Sequence, residues 1–177
     1  MTDMLVKLYA LPEITPRLTA LGQAGVEIRR PDPSDKHILA DWVRQHFSEV
    51  WAVGCEVALE QRPISCYIAV EKSQAYVPSQ DPYLLPEEIL LGFACYDVAS
   101  RGMFGPLGVR EDHRERGIGT ALLLACLHAM KDEGYGYAVI GWVSSVEFYA
   151  RAAGATVIPD SEPGIFRGKL VDRASQG

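Results

Sequence analysis

Between residues 64 and 71 the chain alternates strictly, with Ile64, Cys66, Ile68 and Val70 on one side and Ser65, Tyr67, Ala69 and Glu71 on the other. That period predicts a strand with one face buried and the other partly wet. A shorter alternation over residues 26–30 stops at Pro31-Asp32-Pro33-Ser34, a strand and then a turn. Next, Ile38, Leu39, Trp42, Val43 and His46 recur at three- and four-residue steps, one face of a helix that starts from Ser34 or Asp35. A weaker helical pattern covers residues 50–59. Pro78, Pro82 and Pro86 exclude a helix or central strand from residues 72–86, which reads as a surface loop.

Residues 89–98 are almost continuously apolar, and residues 103–109 follow after Ser100-Arg101-Gly102, predicting a hairpin of two core strands. A helix then runs from about Gly117 to Gly134, with Ile118, Leu122, Ala125 and Ala129 on one face and Leu123, Leu127 and Met130 beside them. A strand at 137–143, a helix at 145–153 closed by Gly154, and strands at 155–158 and 165–171 complete the chain. Ser144-Ser145-Val146-Glu147 has the spacing of a capping box for the last helix. This order predicts one mixed α/β (α+β) domain. Its sheet is mostly antiparallel, with helices on both faces, because only helix-linked strands need run parallel. Residues 5–9 alternate weakly and are a candidate short strand.

Composition narrows the class. With 177 residues, 48% of them hydrophobic, the chain suits one shared core. No apolar run approaches the roughly 20 residues that span a bilayer, and Asp3 and Lys7 interrupt any secretory h-region. A soluble, cytoplasmic protein without a membrane partner is expected. Cys55, Cys66, Cys95 and Cys126 are far apart in sequence, form no C-x-x-C pair and read as buried free thiols. His37, His46, His113 and His128 lack metal-ligand spacing, so no metal is expected. A formal net charge of -6 argues against a nucleic-acid partner, whose affinity comes from neutralised phosphates. It suits a cationic or neutral amine better.

Against that background, Arg110, Arg114 and Arg116 form a compact basic spot just before the long helix. Gly117 and Gly119 flank Ile118 at its mouth, although glycine costs about 0.5–1 kcal/mol relative to alanine inside a helix. Missing side chains let a ligand reach the backbone, and the unpaired amides of a first helical turn attract an anion. No Lys-Ser or Lys-Thr follows the second glycine, which excludes a P-loop, and no βαβ unit with a later ribose-binding acid accompanies the run. What precedes it is Leu107-Gly108-Val109-Arg110-Glu111-Asp112-His113. Here the chain resembles the GNAT acetyltransferase superfamily, in which an L-x-V strand leads through a short loop into R/Q-x-x-G-x-G/A and a long helix. The resemblance continues through the strand at 137–143, Phe148-Tyr149 and Gly154. It departs at Trp142, where many members carry Asn, and at Glu111, where many carry Pro.

The resemblance implies a GNAT-like sheet of six to seven strands in a domain spanning residues 26–171. Residues 1–25 would be an extension packed on it and residues 172–177 a tail. It implies acetyl-CoA as cosubstrate. Leu107, Gly108 and Val109 would pair with pantetheine, and an amide near Val109 would face the thioester carbonyl. Amides of Glu115, Arg116, Gly117, Ile118, Gly119 and Thr120 would hold the pyrophosphate, supported by the side chain of Arg114 or Arg116. Gly141 fits a point of close ligand approach. Tyr149 would protonate the departing thiolate as a primary amine, on a small molecule or a peptide, attacks directly in a ternary complex. A core stripe of Val146, Tyr149, Ala150 and Ala153 is the competing role for that tyrosine. For the base, Glu56, Glu88, Asp97 and water remain open, and Trp42, Trp51, Tyr76 and Tyr83 are candidate acceptor-site linings. A homodimer pairing the final strand and the N-terminal segment is possible. The alternative functions are a non-catalytic acetyl-CoA-binding sensor or assembly module, or a domain for another phosphorylated ligand.

Overall fold

Alternation and helical periodicity resolve into seven strands and five helices in the computed structural model, which describes residues 1–72 and 87–165. The strands are β1 (Thr2–Lys7), β2 (Val26–Arg29), β3 (Cys66–Lys72), β4 (Glu88–Tyr96), β5 (Met103–Val109), β6 (Tyr137–Val143) and β7 (Thr156–Val157). The helices are α1 (Thr15–Gln23), α2 (Lys36–His46), α3 (Glu49–Glu60), α4 (Ile118–Asp132) and α5 (Val146–Ala153). The sheet order is β2-β3-β4-β5-β6-β1-β7. Every pairing is antiparallel except β5 with β6, the two strands joined through α4.

The alternation in β3 divides the core. Cys66, Ile68 and Val70 join Phe93 and Cys95 of β4 under α2 and α3. Tyr67 and Ala69 turn the other way, into a cluster with α1, α4 and α5. Ala69 is fully buried there, so the face expected to be partly wet is covered, with Tyr67 and Glu71 half-buried beside it. α4 is buried nearly all round, from Ile118 to Met130, the mark of a central helix.

Several expectations need correction. Residues 1–25 do not merely pack on the domain: β1 lies inside the sheet, paired with β6 on one edge and β7 on the other. Both edges of β1 are therefore engaged within the chain, the β7 side at Met4 and Leu5. Ile38, assigned to the buried face of α2, is 74% exposed, while Leu39, Ala40 and Val43 are buried. On α5 it is Ala152 and Ala153 that are buried, whereas Ala150 is exposed. The capping box does not form. Ser145 caps α5 without a side-chain hydrogen bond, and Gly154 closes the helix at φ 64°. The loop expected at 72–86, with Tyr76 and Tyr83, lies outside the described residues from position 73 onward. The strand expected at 165–171 and the tail lie outside them from position 166 onward.

Candidate active site

β5 and β6 stay together only briefly. They pair at Met103↔Val139 and Phe104↔Ile140, and the β4–β5 register then shifts at Gly105-Pro106, an extra-residue irregularity that bends a strand. Beyond it, among the described residues, Leu107, Gly108 and Val109 pair only with β4, so their other edge opens into the split. Arg110 donates its N–H to the Leu91 carbonyl at 2.9 Å on the β4 side. Successive amides along a strand point to opposite sides, so the Val109 amide and carbonyl face the split. The Arg114 Nε–H donates to that carbonyl at 3.3 Å.

Below the split, the chain turns into α4 through two left-handed residues, Glu115 at φ 67° and Gly117 at φ 80°. Gly117 caps the helix with no side-chain bond, and the first helical bond is from Ala121 N–H to the Gly117 carbonyl at 3.1 Å. The amides of Ile118, Gly119 and Thr120 thus precede the helical ladder, at the positive end of the helix dipole. A cavity of about 550 Å³ connects these parts. It is lined by Leu107, Gly108, Val109, Arg114, Glu115, Gly117, Ile118, Gly119 and Thr120, with Phe47, Trp51, His113, Phe148 and Arg151 completing it.

Arg116 alone among the expected cofactor residues does not line this cavity. Its guanidinium reaches Glu71 at 2.9 Å and His113 Nδ1 at 2.8 Å. The cation on the cavity wall that sequence reasoning missed is Arg151. It stands three residues after Phe148 on the same helical face, which was the available signal. Phe47 was also missed. Its ring closes over Gly108, where an added Cβ would come within 2.6 Å of it.

A second cavity, about 520 Å³, lies on the other side of Leu107 and shares Trp51 with the first. Phe104, Pro106, Gly141, Trp142, Ser144 and Tyr149 are among its walls. The Tyr149 ring is held between Phe104 and Phe148, with centroids 6.3 and 4.9 Å away, and burial raises its pKa above the ordinary phenol value. Trp142 has φ 52°, and its backbone and indole N–H groups donate to Asp3 and to the Pro163 carbonyl.

None of the three candidate bases lines either cavity. Glu56 pairs with Arg44 at 3.3 Å, and Glu88 with Arg29 at 2.5 Å. Asp97 is buried and ties the β4–β5 turn, accepting from the Gly102 N–H at 2.7 Å and the Tyr135 hydroxyl at 2.6 Å. Trp42 packs edge-on against Phe93 in the core. The four cysteines are free and buried as expected, but Cys55, Cys66 and Cys95 come together. No helix among the described residues is long and apolar enough to cross a membrane.

A mostly antiparallel sheet with one splayed parallel pair, beside a glycine-opened helix, defines an α/β class in which a groove runs from the sheet split to a helix N-terminus. Residues 36–155 match the family model described as the acetyltransferase (GNAT) family, and the chain belongs to that family. Solved structures share the fold at low identity. The glucosamine N-acetyltransferase region of a fungal multi-domain GH3 β-N-acetylglucosaminidase is 13% identical with a TM-score of 0.65, the match covering 89% of this chain and 19% of that one. A GCN5-related N-acetyltransferase from Sphaerobacter thermophilus is 19% identical with a TM-score of 0.56, covering 89% and 48%. One from Kribbella flavida is 14% identical with a TM-score of 0.53, covering 88% and 53%. The chain thus spans between 19% and 53% of the length of these three solved chains. No curated protein matches it.

Proposed function

We propose that this chain transfers an acetyl group from acetyl-CoA to an amine by direct attack within a ternary complex. The observation that carries the reading is the continuity of the open β5 edge at Leu107, Gly108 and Val109 with the unpaired amides of Ile118, Gly119 and Thr120. Pantetheine adds to that edge as a strand would, and the pyrophosphate lies on the helix terminus, with Arg114 and Arg151 on the same wall. The Val109 amide faces the split and receives the developing oxyanion. The amine approaches through the second cavity, where the Tyr149 phenol protonates the departing sulfur. Its raised pKa keeps it a donor at neutral pH. With Glu56, Glu88 and Asp97 engaged elsewhere, the amine's proton leaves to water.

The test is release of free coenzyme A thiol from acetyl-CoA across a panel of amines. Tyr149→Phe is expected to lower turnover by roughly 10²-fold or more, the scale of general acid catalysis, while coenzyme A still raises the melting temperature of the variant. Parental turnover in that variant removes the tyrosine from the mechanism. Among the described residues no carboxylate lines the second cavity, which favours one other reading, a domain that binds acetyl-CoA without turning it over. Stabilisation by coenzyme A with no thiol release across the panel would support it.

A further inference from the structure

α3 lies on the face of the sheet opposite α4, and its inward side meets β3 and β4 in an apolar cluster with Leu39, Val43, Ile68 and Phe93. Three cysteines sit in that cluster with no exposed surface: Cys55 of α3, Cys66 of β3 and Cys95 of β4. Cys66 and Cys95 are direct cross-strand partners. The adjacent ladder bond runs from the Tyr96 N–H to the Ser65 carbonyl at 3.0 Å. The two cysteines therefore occupy a non-hydrogen-bonded position, where facing side chains approach most closely. Cys55 closes the triangle from the helix, and the three Sγ atoms lie within 4.8 Å of one another.

Three sulfurs bound to one ion at roughly 2.3 Å stand about 4 Å apart in a trigonal plane, so a small inward movement suffices. The donor set contains no imidazole and no carboxylate, which selects a soft cation. Structural zinc is almost always four-coordinate, and no fourth ligand belongs to the group among the described residues. Cys126 packs in the other core cluster, across the sheet. One monovalent cation held with a single thiol deprotonated leaves this apolar setting without net buried charge. We propose that Cys55, Cys66 and Cys95 form a three-sulfur site for one soft monovalent cation, Cu(I), in the core beneath α3. Binding releases one thiol proton to solvent and leaves the oxidation state of the ion unchanged.

The test uses the full chain, reduced and kept free of oxygen. Cu(I) supplied as its acetonitrile complex is titrated in competition with the chromophoric chelator bicinchoninate, and native mass spectrometry reads the stoichiometry. One ion per chain is expected, with a sulfur-to-copper charge-transfer band in the near ultraviolet, and Cys126→Ala keeps both. Cys55→Ala, Cys66→Ala and Cys95→Ala should each weaken binding by more than the roughly 10–100-fold that loss of an outer-shell partner costs. Circular dichroism establishes that each variant is folded, and Cys55→Val, which keeps the core filled, repeats the measurement where alanine does not fold. The proposal is overturned if the reduced parent takes no ion from the chelator, or if uptake survives loss of any one of these three sulfurs undiminished. Preference for Zn(II) over Cu(I), or a Cys66–Cys95 disulfide in place of metal uptake, overturns it equally.

Discussion

Gly108 and Gly119 lack side chains for different reasons, and their variants should fail differently. At Gly108 an added Cβ meets three atoms of the Phe47 ring between 2.6 and 2.9 Å. Gly108→Ala must therefore displace that ring, at a cost of about 1–3 kcal/mol for overpacking. Chemical denaturation should detect it, and adding Phe47→Leu should recover part of the loss. At Gly119 the nearest neighbours of a Cβ are at 3.6 and 3.8 Å, ordinary contact. Gly119→Glu should leave the fold intact yet place a carboxylate among the amides proposed for the pyrophosphate. Calorimetry with coenzyme A should find binding lost; parental affinity in a folded Gly119→Glu chain would remove the cradle from the proposed function.

At the scale of elements, the turn into α4 decides which arginines matter. Arg116 is held by Glu71 on β3 and by His113, whereas Arg151 projects from α5 into the first cavity with no hydrogen bond or ion pair among the described residues. Arg151→Ala should weaken coenzyme A binding more than Arg116→Ala does, and the difference should shrink at high salt because the interaction is charge-assisted. Equal losses would mean that Arg116 swings from Glu71 to the ligand. The pairing of α5 with the sheet split also explains the two aromatic neighbours. Phe148 lines the first cavity and Tyr149 the second, so one helical turn serves both ends of the proposed reaction.

For the whole molecule, burial of acids that are neutral at pH 7 sets the alkaline limit. Burial raises Cys126, and burial followed by a hydrogen bond to Glu133 raises Tyr96. In the unfolded chain a thiol ionises near about 8.5 and a phenol near about 10. The folded chain retains those protons to higher pH, so it binds more protons than the unfolded chain and stability falls as pH rises. Their contribution is complete below the unfolded values and is lost above them, at about 1.4 kcal/mol per pH unit for each such group. Melting temperature should decline above about pH 8.5 and more steeply above about pH 10, and Cys126→Ala should flatten the first segment. A melting temperature unchanged from pH 7 to 10 would mean that these groups ionise in the fold as they do in water.

Local pattern made most of the elements legible, because a strand or helix announces itself through the period of its own buried residues. The hairpin of β4 and β5, the full length of α4 and the bounds of β6 were all readable, as was the glycine run that opens α4. Short-range pattern also pointed to Leu107, Gly108 and Val109, since an L-x-V strand feeding R-x-x-G-x-G is contiguous in the chain. Four things depended on distant partners and had no local signal. β1 pairs with residues at least 130 positions away, so its weak alternation left its place in the sheet open. Ile38 stays exposed because no element among the described residues covers that flank of α2. Glu71 claims Arg116 from β3, across the sheet from the residues that suggested its role. Cys55, Cys66 and Cys95 meet only because the β3–β4 register sets two of them opposite each other while α3 lowers the third onto them. Register and helix docking arise from contacts summed over the whole core, and one-dimensional spacing does not encode them.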